Sequence, residues 1–174
     1  MALGPDPGET VVRFLGEWAL RFLVITLTVS PAQRLIKRVQ LIRLRRMLGL
    51  FTFAYAIVHF SAYFVFLAGL SLSEVVADFI ERPYITLGML ALVLLIPLAV
   101  TSTRGWQRKL RRNWKKLHRL VYVTAVSAWI HLFWLTRDGF FEVAIYGSLI
   151  ALLFLERIIR SRLPKRQPSI NASS

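Results

Sequence analysis

The chain has 174 residues, 56% of them hydrophobic, and at a mean hydropathy of +0.54 a soluble domain would expose more apolar surface than water tolerates. Its 23 Lys and Arg against 9 Asp and Glu give a net charge of +14, held in short clusters between long apolar runs, a pattern that points away from nucleic acid. There is no cysteine, which excludes disulfides, thiolate metal sites and Cys-ligated iron–sulfur clusters, so any redox chemistry uses a cofactor held another way.

The N-terminal MALGPDPGET lacks the basic and apolar regions of a cleaved signal peptide, so the helices themselves are expected to direct insertion. Crossing a hydrocarbon core takes about 20 apolar residues, and five segments qualify. The first, Trp18 to Ala32, is short and contains Arg21, which can snorkel to an interface. Met47 to Gly69 and Tyr84 to Val100 carry no charged side chain and one histidine, His59. Leu120 to Leu135 is apolar apart from His131, and Phe140 to Leu155 has Glu142 only at its start. The expected fold is an all-α integral membrane bundle of five transmembrane helices.

The connecting charges alternate. Arg34, Lys37, Arg38, Arg43, Arg45 and Arg46 lie between the first two runs, eight Lys or Arg lie between Arg104 and Arg119, and Arg157, Arg160, Arg162, Lys165 and Arg166 follow the last. Retention of Lys and Arg inside puts these three segments in the cytoplasm. The loop with Glu74, Asp78 and Glu81 and the turn with Asp138 then face the periplasm, giving an N-terminus outside and a C-terminus inside. Four or six spans would break the alternation. Residues 1–162 read as one domain, and Leu163 to Ser174, rich in Pro, Lys, Ser and Asn, reads as a disordered cytoplasmic tail. No internal repeat is recognised, and the short loops leave no room for a soluble catalytic domain.

An imidazole in hydrocarbon is costly unless paired, which singles out His59 and His131. At about 1.5 Å of rise per residue, His59 lies roughly 20 Å beyond Arg46 and His131 roughly 18 Å beyond Arg119, so the two reach similar depth. That arrangement suits bis-histidine haem ligation, with Phe53, Tyr55, Phe60, Tyr63, Trp129 and Phe133 available to pack the porphyrin. An interhelical hydrogen bond is the other reading, and spacing leaves both open. His118 sits at the cytoplasmic edge in TSTRGWQRKLRRNWKKLHRLVY, thirteen residues before His131 and roughly 140° away on an ideal helix. Either an interfacial histidine or a ligand of a second cofactor fits it. Arg45 and Arg46 stand at the matching level before His59 and suit haem propionates, a flavin phosphate or anionic lipid. Paired acid/base carboxylates, phosphate-cradling glycine loops and serine triads are absent.

The blocks RRMLGL, ERPY, TSTRGWQRKL and WKKLHRLVY, in that order over about Gly16 to Arg160, resemble the MsrQ (YedZ) family of ferric-reductase-like membrane proteins. The resemblance implies a helical bundle holding b-type haem, one or two, with FMN also attributed to the family. It implies passage of electrons from the quinone pool to a periplasmic molybdopterin partner, MsrP, which reduces oxidised methionines. Such a chain is an electron-transfer subunit of the bacterial inner membrane, not itself catalytic on methionine sulfoxide. By motif position His59, His118 and His131 match the family's haem-associated histidines. The family has six spans, so this chain is expected to begin after the first. The rival from another class is a non-redox transporter or scaffold with an intramembrane histidine pair.

Overall fold

A computed structural model describes residues 6–37, 41–136 and 139–163. All eight elements among the described residues are helices: α1 Pro7–Ile36, α2 Leu41–Phe66, α3 Leu72–Glu81, α4 Pro83–Val100, α5 Arg104–Leu110, α6 Arg112–Leu117, α7 Leu120–Leu135 and α8 Phe140–Arg162. The turn holding Asp138 and the tail from residue 164 lie outside the described residues.

Local chemistry sets most boundaries. Asp6 accepts from the Glu9 amide to cap α1, with Pro7 in the first turn where its missing N–H costs nothing. Ser71 and Thr103 cap α3 and α5 in the same way, and Pro83 opens α4. The apolar run expected at Trp18–Ala32 is the middle of a 30-residue helix. The run expected as Met47–Gly69 starts earlier and ends at Phe66, where the chain turns through Gly69 and Leu70 at positive φ. The acidic connection expected as a loop contains α3, and the basic one contains α5 and α6.

α1 packs along α2 and α4 along α7, the two most extensive helix contacts, and α8 lies against α7 and α1. The core is an aliphatic seam of Leu20, Leu23, Val24, Leu27, Val121, Ala125 and Ile150. The outer surface is apolar too: in the most apolar windows of α2 and α4 only 11% of the residues are buried. A soluble core helix buries such a window, so these helices require lipid against their outer faces.

The two helix pairs are copies of one pattern, which corrects the expectation of no internal repeat. Leu15, Gly16, Ala19, Leu20 and Leu23 of α1 recur in α4 as Leu87, Gly88, Ala91, Leu92 and Leu95. Leu48, Thr52, Ala56 and His59 of α2 recur in α7 as Leu120, Thr124, Ala128 and His131. The offset is 72 residues throughout (131 less 59, and likewise 88 less 16). Burial follows the copy: Leu20 and Leu92, Leu23 and Leu95, and Thr52 and Thr124 are all buried, each threonine donating to the carbonyl four residues back. The repeat escapes a linear reading because only contact positions keep it, while lipid-facing positions accept any apolar residue.

The connection within each copy has equal length but a different path. In the first half α1 runs on to Ile36 before α2 begins, whereas α4 stops at Val100, a turn after Pro97, and α5 and α6 fold across the gap. Trp114 of α6 donates through Nε1 to the Thr101 carbonyl at 2.9 Å, satisfying the end of α4.

Candidate functional site

The repeat brings His59 of α2 and His131 of α7 next to one another, with ring centroids 6.3 Å apart and planes nearly perpendicular at 80°. Each ring is held from behind by the first helix of its own pair. His59 Nδ1 lies 2.8 Å from the Val12 carbonyl oxygen and His131 Nδ1 lies 2.6 Å from that of Tyr84, both 47 residues away. A carbonyl only accepts, so each Nδ1 carries the proton and each Nε2 keeps a lone pair. This is the orientation that metal-ligating histidines use, their other nitrogen donating to a carbonyl.

One turn beyond each carbonyl is a glycine. A Cβ on Gly16 would lie 2.9 Å from the His59 ring, and one on Gly88 would lie 2.9 Å from the His131 ring. Both helix backbones approach the imidazoles as closely as atoms allow, and neither ring can retreat. These four supports, Val12, Gly16, Tyr84 and Gly88, were not singled out by sequence reasoning; their signal is the shared 72-residue offset.

The donor set fits a haem. Each imidazole has its Nδ1 tied to a carbonyl, leaving Nε2 for a metal, and the centroid separation of 6.3 Å is roughly two metal–nitrogen bonds of about 2 Å plus the inner halves of two rings. The aromatic residues expected to pack a porphyrin divide. Tyr55 packs on Phe22, and Phe60 on Tyr63. Trp129, however, donates to the Val143 carbonyl at 2.9 Å and packs on Gly147, so its indole faces α8 and not the histidine pair. Phe133 follows it toward Phe140.

His118, Arg45 and Arg46 meet at the other end of the bundle. They line a cavity of about 190 Å³ with Thr26, Thr52, Leu95, Leu98 and Trp114 among its walls. His118 follows α6 and precedes α7, so no continuous helix joins it to His131 and the rotation expected between them does not apply. Its ring stands edge-on to Trp114 at 4.0 Å, and its Nε2 is buried without a hydrogen-bond partner among the described residues. Burial, and then the neighbouring Arg45 guanidinium, lower its pKa, which keeps the imidazole neutral and its lone pair available. An orphaned buried nitrogen beside two guanidiniums is a donor set for a metal-containing or acidic guest.

A second polar group joins α1 and α8. Arg21 donates from Nε to the Tyr146 hydroxyl at 3.0 Å and pairs with Glu17 at 3.1 Å, so its charge is partnered while its side chain stays partly exposed.

Residues 15–129 match a family model described as the ferric reductase like transmembrane component. The chain is 44% identical over 174 residues to the protein-methionine-sulfoxide reductase heme-binding subunit MsrQ of Xanthomonas campestris pv. campestris (strain B100), a match covering 99% of this chain and 79% of that one. It is also 44% identical over 168 residues to the subunits of the same name from Brucella ovis (strain ATCC 25840 / 63/290 / NCTC 10512) and Brucella abortus (strain 2308), covering 97% of this chain and 76% of each. No solved structure matches.

Proposed function

The chain belongs to the ferric-reductase-like transmembrane family and, within it, to the MsrQ heme-binding subunits, and on that premise we propose a b-type haem electron-transfer subunit of the bacterial inner membrane. It relays electrons from the quinone pool to a periplasmic molybdopterin reductase of the MsrP type, serving repair of methionine sulfoxide in proteins. The observation that carries this reading is the His59–His131 pair, at 6.3 Å with both Nδ1 atoms tied to backbone carbonyls.

In this reading α1, α2, α4, α7 and α8 cross the membrane, with the N-terminus outside and the C-terminus inside. α2 and α4 are long and apolar enough by themselves. α7 is 16 residues long and free of acidic or basic side chains apart from His131, while α1 and α8 place Arg34 and Glu156 in an ion pair at the end that the positive charges put inside. The histidine pair then lies in the outer half and the His118 cavity in the inner half.

His59 and His131 hold the haem, whose chemistry is a reversible one-electron change at iron. The carbonyls of Val12 and Tyr84 fix the two tautomers, and Gly16 and Gly88 allow the helices to seat the rings. The aliphatic seam around Leu20 and Val121 forms the apolar interior of the bundle, and its Leu23 and Val121 also line the His118 cavity. In the inner cavity His118 offers one further nitrogen ligand, and Arg45 and Arg46 neutralise the carboxylates of a second haem or the phosphate of an FMN.

The test is a dithionite-reduced minus oxidised visible spectrum of the detergent-purified protein, with a pyridine haemochrome assay. A sharp reduced α-band of b-type haem is expected, and the stoichiometry distinguishes one haem from two. Colourless protein from haem-replete cells would leave the rival, a transporter or scaffold in which the two imidazoles pack without iron.

A further inference from the structure

α3 is ten residues long, about 15 Å at helical rise, too short to cross a bilayer. Five residues join it to the end of α2 and Arg82 alone joins it to α4, the two helices long and apolar enough to span. Both its ends are therefore held at one membrane edge. At 3.6 residues per turn its side chains fall on three separate faces. Val75 and Asp78 face the bundle: Val75 is buried, and Asp78 accepts from the Tyr63 hydroxyl and pairs with Arg82; half-buried Phe79 borders the apolar stripe, its backbone carbonyl accepting from the Thr86 hydroxyl. Leu72, Val76 and Ile80 lie within about 80° of one another on a second face and are 74%, 58% and 79% exposed. Glu74 and Glu81, also exposed, lie on the third, turned away from that apolar stripe.

From this three-way division we infer that α3 is an interfacial helix lying in the outer-leaflet boundary, its Leu72–Val76–Ile80 face in the acyl region. The occupant is lipid because the flanking spans hold the helix at the membrane edge, where acyl chains are the apolar phase within reach. Burying the stripe by about 5–10 Å, as interfacial helices do, leaves Glu74 and Glu81 in the aqueous phase. The acidic edge also keeps the helix from sinking, since a carboxylate in hydrocarbon is costly. The inference rests on the spanning placement of α2 and α4 and is independent of haem.

The chain has no cysteine, so single cysteines carrying a bimane label report one site each in the 174-residue chain. Reconstituted in phosphatidylcholine–phosphatidylglycerol vesicles, L72C, V76C and I80C are expected to be quenched several-fold more by nitroxide-labelled lipid than E74C and E81C. Aqueous iodide should give the reverse order. Equal iodide quenching of both sets would overturn the inference by showing a water-facing stripe. Protection of L72C, V76C and I80C from both quenchers would overturn it by showing a protein cover. Labelling of E74C and E81C by a charged thiol reagent only from the inner side would instead sink the membrane orientation, and the α-band, read separately on each variant, reports the haem reading alone.

Discussion

In the proposed orientation the bundle has an outer level, at the histidine pair, and an inner level, at His118; the repeat supplies each of them twice, and only the inner one has diverged. At the outer level the two copies carry His59 and His131, with identical supports at Val12 and Tyr84 and at Gly16 and Gly88. At the inner level, thirteen residues earlier, the copies carry Arg46 and His118. Symmetry at the first level gives two neighbouring imidazoles, each held by a carbonyl at Nδ1. Its loss at the second gives one imidazole with a buried Nε2 lining the same cavity as two guanidiniums. The break has a structural origin, because α1 extends to Ile36 and Arg46 lies within α2, while α4 stops at Val100 and α5 and α6 bring Trp114 and His118 in instead.

If the outer pair is the axial pair, H59A and H131A each abolish the low-spin bis-imidazole spectrum of that haem, the largest effect expected of any substitution. Retention of a full α-band in either variant would break the comparison at its root. Next in size, G16A and G88A place a Cβ 2.9 Å from the ring behind it. Each is expected to cost about 1–3 kcal/mol by overpacking and to broaden the α-band to a similar extent, measured by thermal loss of the Soret band. Unequal effects would show that the two halves are not equivalent supports.

R46H restores the symmetry at the inner level and is expected to add a bis-imidazole low-spin signal in electron paramagnetic resonance, whereas R46A is not. The smallest effect is expected of W129F, which removes one hydrogen bond to Val143, worth about 1 kcal/mol, and leaves the α-band where it is because the indole faces α8. A shifted band in W129F would place Trp129 against the haem, as the sequence reading had it.

The sequence by itself marked the five long apolar helices, the alternation of charge and the two histidines within apolar runs, because hydrocarbon requires long apolar runs and makes any polar exception conspicuous, whereas the short helices α3, α5 and α6 lie in polar connections that carry no such signal. The α4 and α7 boundaries expected from hydropathy agree with the structure to within a residue, since Arg82, Thr101 and Arg119 mark abrupt changes of composition. Family resemblance supplied the cofactor, which spacing alone left open.

Tertiary structure alone decided the partners. Nothing in a list of residues says that the Val12 and Tyr84 carbonyls, 47 positions away, fix the tautomers, or that Trp129 turns to α8. The 72-residue repeat is written in the chain, yet only contact shows which few positions keep it. A lipid solvent explains both: it constrains every outward residue to be apolar and almost none to be a particular one, so specificity survives only where helix meets helix.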